Sequence, residues 1–274
     1  MFGLSDLKQT RVYQVKQLFI HPVKGLTPKA QESVTLKVGY GIPGDRSFAL
    51  MYKEDEIDVD STIVPWMKKE NFIMQNDWHS LAALDCEYEE VSGILRVKRK
   101  GVELLIGDTK TEIGRDRISA FFTGYLAGIN PSLAAKNSNH PPLQFVGMFG
   151  ETRYPDREAV HISLVSQATI DNLTQLAGQQ IDVRRFRPNI VVEGVPAWGE
   201  FDWVGQEMQL GTARIEISAR INRCLNIEVH PETGERDIGL LTLLQKQFHH
   251  IQTGVLAKII SNGDVAIGDN IMSV

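Results

Sequence analysis

Alternation of apolar and polar residues, kept up from Ala213 to Arg220, restricts this chain more than any other feature. Ala213, Ile215, Ile217 and Ala219 fall on one side of an extended backbone and Arg214, Glu216, Ser218 and Arg220 on the other. A segment with that period is a strand with one buried face. Val34, Leu36 and Val38 repeat the pattern against Thr35 and Lys37. Residues 94–98 and 102–106 flank Lys100-Gly101, and residues 255–260 and 264–267 flank Asn262-Gly263. Each pair is expected to close a tight hairpin on a turn that needs positive φ. Helical periods are fewer. Ile170, Leu173, Leu176 and Ala177 form a stripe that starts near Ser166 and stops at Gly178, and Leu240, Leu243, Leu244 and Phe248 form another. The expected fold class is α+β, rich in strand.

Between Tyr125 and Ala159, Pro131, Pro141, Pro142, Pro155, Gly147 and Gly150 interrupt every period. A domain boundary is expected near its start, giving units 1–125 and 126–274, a division that suits a chain of 274 residues. Phe145, Met148 and Phe149 suit a binding site better than a plain linker. The acidic run from Glu54 to Asp60 reads as a solvated loop rather than a metal site, because no turn converges its carboxylates. A formal charge of -5 offers nucleic acid no overall attraction, although a local basic pocket can still hold a small anion. No run approaches the ~20 apolar residues of a membrane span, and the first residues lack the basic-then-apolar order of a secretory signal. No membrane and no nucleic-acid partner is therefore expected, and the cytoplasm is the expected compartment. Cys86 and Cys224 are too few for a four-Cys zinc or iron–sulfur centre and too far apart for a Cys-x-x-Cys site.

Residues Gly39 to Gly44 spell G-x-G-x-x-G after a strand. A dinucleotide site needs a helix next, to bring its N-terminus to the pyrophosphate. Pro43 and the extended stretch Ser47 to Met51 announce another strand instead.

Four other pieces belong together: Pro22-Val23-Lys24, Gly44-Asp45-Arg46, Arg184-Arg185-Phe186-Arg187-Pro188-Asn189, and Arg223-Cys224 followed by Pro231-Glu232-Thr233-Gly234. In order and content they resemble the MOSC family. In particular they look like its two-domain group, which has an N-terminal MOSC-associated β-barrel before the MOSC domain and includes the amidoxime-reducing components. The resemblance runs from about Val12 to Asp269 and implies a molybdenum cofactor, a pterin dithiolene with a terminal phosphate whose metal also takes one cysteine thiolate. Cys224 is the matching thiol. Molybdenum accepts soft thiolate ligands, and Arg220 and Arg223 are expected to favour the thiolate. Taken alone, a Cys at a strand end is more often a packed structural thiol, and it is the resemblance that reverses this for Cys224. Cys86, among acidic neighbours, is read as structural.

Lys24, Arg46, Arg187, Asn189 and Arg223 fall where the family contacts the cofactor. Guanidinium forks and an ammonium suit phosphate, and an amide suits the pterin edge; singly, each is also an ordinary surface side chain. Ser166 and Thr169, at the start of the Ile170 helix, join them by the same resemblance, with an N-cap as the plainer role for Ser166. His21 and Gly25 depart from the family's usual Tyr and Ser, and Asn222, the stretch Leu225 to Glu228 and His230 depart from its usual residues around the metal ligand. His21 and His230 read as satisfied surface histidines or, alternatively, as proton sources.

The function implied is a molybdenum-dependent oxidoreductase that reduces small N-hydroxylated compounds, with Cys224 as metal ligand and catalytic residue. The alternative is a cofactor or sulfur carrier that uses Cys224 without redox turnover. MOSC domains are also fused to sulfurases that use pyridoxal phosphate, a family-level association with no place here for the extra domain. Some relatives carry a C-terminal ferredoxin domain and none follows Val274, so a separate electron-transfer protein is the expected donor, docking near residues 128–157.

Overall fold

A computed structural model describes residues 12–53, 62–129 and 142–274. The chain start, the acidic run at Glu54 to Asp60 and residues 130–141 of the expected docking segment lie outside the described residues.

The long alternating segment becomes β12 (Ala213–Asn222), with Ala213, Ile215 and Ile217 buried. It is one stave of a closed seven-stranded barrel. Around the barrel run β10 (Ile190–Glu193), β9 (Ile162–Ser166), β13 (Gln252–Ser261), β12, β11 (Glu207–Leu210), β15 (Asn270–Ser273) and β1 (Tyr13–Ile20), which pairs back onto β10. Closure leaves the barrel without free edges. Leu18, Leu164, Ile190 and Val192 share one core with the inward residues of β12, while their neighbours Phe19, Val165 and Val191 enter a second. Strands β1, β9 and β10 are thus buried on both faces. The second core is capped by the two expected helices, α2 (Gln167–Ala177) and α3 (Leu240–Phe248), which supply Ile170, Leu173, Leu240 and Leu244. Gly178 ends α2 in the left-handed conformation at φ 68°, as its position predicts.

A second body lies beside the barrel. Strands β5 (Asp85–Glu89), β6 (Ile94–Arg99) and β7 (Val102–Asp108) form one sheet, and β4 (Phe48–Tyr52) pairs with β8 (Leu143–Gly147). Helix α1 (Glu112–Ile129) was not evident in the sequence. It packs Ile118, Phe122 and Leu126 into this body's core, and the buried Arg115 donates to the carbonyls of Phe145 and Gly147 at 2.8 and 3.0 Å. The hairpin at Lys100-Gly101 forms as expected, with φ of 50° and 78°.

The hairpin expected at Asn262-Gly263 does not form. Strand β14 (Gly263–Ala266) pairs with the distant β3 (Ser33–Leu36), and the Asn262 side chain accepts from the Val38 N–H at 2.7 Å. Strand β2 (Lys29–Gln31) extends the barrel sheet from β1. The pairings also do not follow the division at 125/126: β1 belongs to the barrel built from residues 162–273, and β8 belongs with β4.

Candidate cofactor site

Five of the sequence-selected residues meet where the two bodies touch. Lys24 and Arg46 come from the turns after β1 and before β4, Arg187 from the turn before β10, and Arg223 and Cys224 from the end of β12; all five line one cavity of about 210 Å3. Cys224 is exposed at its rim. Arg46 and Arg187 both hold left-handed backbones, φ 55° and 50°. For side chains other than glycine such conformations cost roughly 1–2 kcal/mol each. They persist because Arg46 N–H donates to His21 O at 2.6 Å and Arg187 N–H to Arg184 O at 3.1 Å.

Charge on the lining is unbalanced. Lys24, Arg46, Arg185, Arg187 and Arg223 face it, with Asp156 as the carboxylate among them. Lys24 is buried, pairs with Asp156 and donates to Tyr154 O at 3.2 Å; burial lowers its pKa against the pull of Asp156. Desolvation pushes the Asp156 carboxyl up, but Lys24, Arg46 and Arg187 outweigh it and hold the group at about 2. Burial and the Arg46 charge bring Arg187 down to about 10, where it is still a cation at neutral pH; its Nη1 donates to Leu26 O at 2.7 Å. Arg223 is likewise lowered to about 10 by burial, and reaches back to Phe186 O at 2.9 Å and Thr253 O.

Beneath this layer Asp45 is fully buried. It accepts from His21 N–H at 2.9 Å, Arg46 at 2.5 Å and Arg153 at 3.3 Å. Burial opposes its ionisation, yet Arg46, the His21 hydrogen bond and Arg153 keep it well below the ordinary carboxylate range.

Other selected residues are placed elsewhere. Asn189 is buried and used inside the fold, its Oδ1 accepting from Ser163 N–H at 3.1 Å and its Nδ2 donating to Phe19 O at 3.3 Å. Ser166 precedes α2 but does not cap it; its hydroxyl donates to Val195 O at 3.0 Å. Thr169 donates to the buried Glu200 at 2.8 Å, a carboxyl whose pKa burial raises. None of the three lines the cavity. Arg220 lies 4.4 Å over the Phe201 ring and borders a different cavity with Trp198 and Trp203, so it does not flank Cys224 as expected.

His21 is buried rather than at the surface, and only half satisfied: Nδ1 meets Asp45 at 3.4 Å while Nε2 has no partner among the described residues. Burial, then Arg187 and Arg46, lower it to about 3, so at neutral pH it is an uncharged partner of Asp45 and not a proton source. His230 accepts from the N–H groups of Glu232 and Thr233 at 3.1 and 3.3 Å and does not line the cavity. Cys86 sits in the core, 6% exposed, with its thiol pushed up to about 12 by burial, as a structural cysteine should be. The segment Gly39 to Gly44 leads into β4 and not into a helix.

Asp156 and the stretch Met74 to Asn76 complete the lining from segments without pattern, and Arg185 joins it from the same motif that supplies Arg187, although it was not itself singled out as a contact. A pterin with a terminal phosphate and a thiolate-bound metal suits this donor set. Cations exceed acids, a soft thiol stands at the rim, and Arg185 Nε is a buried N–H without a partner. Among the described residues no group of three His, Cys, Asp or Glu side chains converges as a protein-only metal site, and no helix is long and apolar enough to cross a membrane.

Residues 151–272 match the MOSC domain family. Mitochondrial amidoxime reducing component 2 of Rattus norvegicus is 24% identical over 82% of this chain and 69% of its own length. Mitochondrial amidoxime-reducing component 1 of Mus musculus is 25% identical over 83% and 68%. Pyridoxal phosphate finds no support in these relatives. Among solved structures, the YuaD protein of Bacillus subtilis aligns over 95% of this chain and 94% of its own at 12% identity, with a TM-score of 0.42. A family associated with the molybdenum cofactor, the MOSC domain family, thus matches the part of the chain that carries Arg187, Arg223 and Cys224, and the chain is similar over most of its length to the amidoxime-reducing components.

Proposed function

We propose that this protein is a molybdenum-cofactor oxidoreductase that reduces small N-hydroxylated compounds with electrons from a separate donor protein. The observation that carries this reading is the meeting of an exposed thiol, Cys224, with an excess of buried and half-buried cations in one cavity between the two bodies. Lys24, Arg46 and Arg187 would hold the phosphate end, and Cys224 would bind the metal. Bound there, the cofactor supplies two-electron chemistry: an N–OH compound takes up two electrons and two protons, and its oxygen leaves as water. The chain's own part is to fix the anion, present one thiolate and keep Asp45 beneath Arg46 so that the guanidinium stays in place. The relatives named as amidoxime-reducing components support the substrate class.

Protein purified from a host that makes the cofactor should contain molybdenum and pterin in near-stoichiometric amounts. It should reduce an N-hydroxylated substrate when a ferredoxin- or flavin-type partner or a dye donor is added, and be inactive with NADH alone. Turnover with NADH alone would refute the separate donor and reopen the Gly39 to Gly44 motif.

Reversing charge at Arg187 tests the anion end. A charge-assisted phosphate contact contributes about 1.5–3 kcal/mol, so Arg187→Glu should weaken cofactor retention roughly ten- to a hundredfold. Pterin remaining after gel filtration measures it, and parent-like retention would exclude Arg187 as a contact.

A further inference from the structure

The lining of the cavity holds uncharged residues as well as cations. Among them are Met74, Gln75 and Asn76 of the second body and Asn226 and Ile227 of the barrel, and Gln75 also borders a small neighbouring cavity with Arg184, Arg185 and Arg187. Gln75 is only 7% exposed, yet its side-chain amide makes no hydrogen bond with any described residue. The amide opens onto the cavities that Gln75 lines, where solvent or a ligand can pair with it.

The segment that carries Gln75 is fixed from several sides. Ile73 N–H donates to Leu50 O at 2.9 Å, Trp78 N–H to Met74 O at 2.9 Å and Arg236 to Asn76 O at 2.6 Å, while His79 Nδ1 meets Gly234 O at 2.5 Å. Gly25 packs so closely beneath it that a Cβ there would stand 2.9 Å from Ile73 O. The backbone that carries the amide is therefore held in place, and a molecule in the cavity can pair with the amide in place of water.

We propose that Gln75 is a specificity-determining residue that recognises the neutral substrate. Its C=O and N–H2 pair with a compound that presents a hydrogen-bond donor and acceptor side by side, as an amidoxime does, and disfavour compounds with an acceptor alone. This rests on the functional reading above. The cations of the lining suit the cofactor's phosphate, whereas an uncharged N-hydroxylated compound suits a neutral amide in the cavity that Cys224 also lines.

Benzamide, which cannot be reduced in this way, has the paired donor and acceptor; N,N-dimethylbenzamide keeps only the acceptor. Titration calorimetry on the cofactor-loaded protein should show benzamide binding about tenfold more tightly. In Gln75→Met that ratio should fall to about one, with thermal stability and pterin content unchanged, and Gln75→Asn should recover part of the preference. For benzamidoxime the Met variant should raise KM about tenfold and leave kcat nearly as it was. An unchanged ratio in Gln75→Met, loss of pterin from that variant, or a parent that binds neither amide overturns the assignment. Gln75-dependent benzamide binding in a protein that reduces no N-hydroxylated compound would keep the recognition role and discard the reductase reading. Turnover without the Gln75 effect would do the reverse.

Discussion

Cys224→Ser is expected to abolish reductase activity and to strip molybdenum from the purified protein. A serine hydroxyl stays neutral and hard at physiological pH, whereas molybdenum in this reading takes a soft, anionic sulfur. The cavity's cations are untouched by the change, so pterin should be lost less completely than metal. Cys86→Ser is the control. Its thiol lies in the core of the second body, away from the cavity, so activity should persist while the melting temperature falls. Parent-like activity and metal content in the Cys224 variant would remove the ligand assignment.

The second large effect concerns acid. His21 is fully buried and titrates at about 3 in the fold, against an ordinary value of 6.5 once unfolded. Below pH 6.5 the unfolded chain binds a proton that the folded chain refuses, so folding stability falls as pH drops through that window and levels off near the folded value. The slope from this one group is about 1.4 kcal/mol per pH unit, or roughly 4–5 kcal/mol over the whole interval. His250, lowered by burial and by Arg220, acts in the same direction. Asp45 and Asp156, held below the usual carboxylate range, add their losses only at lower pH. Urea denaturation at pH 7 and pH 4.5 should show a loss of about 2–3 kcal/mol attributable to His21. His21→Gln, which keeps a donor for Asp45, should remove that share; the same pH dependence in both proteins would show that His21 is not a buried neutral group.

Local pattern showed some parts of this molecule in the sequence and could not show others. The barrel staves with strict alternation, α2 with its Gly178 stop and the Lys100-Gly101 turn depend on neighbours in sequence, and each forms. The Asn262-Gly263 hairpin fails because β3, more than two hundred residues earlier, competes for β14 and wins. Helix α1 was hidden by Gly114, Gly124 and Gly128, although Ile118, Phe122 and Leu126 recur at one spacing along its buried face. At the site, the cations and the thiol were visible because their chemistry is written in residue type. Gln75 and Asp156 were not, since a glutamine or an aspartate becomes distinctive only when folding brings it against residues far away in the chain. Ser166, Thr169 and Asn189 show the opposite case, polar residues in promising positions whose hydrogen bonds turn inward.

The pairing of β1 with strands formed much later has a consequence for synthesis. Gln14 pairs with Glu193 and Tyr13 with Ile271, so the first described strand leaves the ribosome long before its neighbours exist. Until β15 emerges, the barrel is an open sheet with two unsatisfied edges, and β1 is an apolar segment with nothing to cover it. Closure must therefore wait until β15 has left the ribosome, as a slow event dominated by distant contacts, and chaperone demand should concentrate in the nascent chain before that point. A ribosome that stalls between β13 and β15 would release a chain that has nearly all of its core yet cannot seal it.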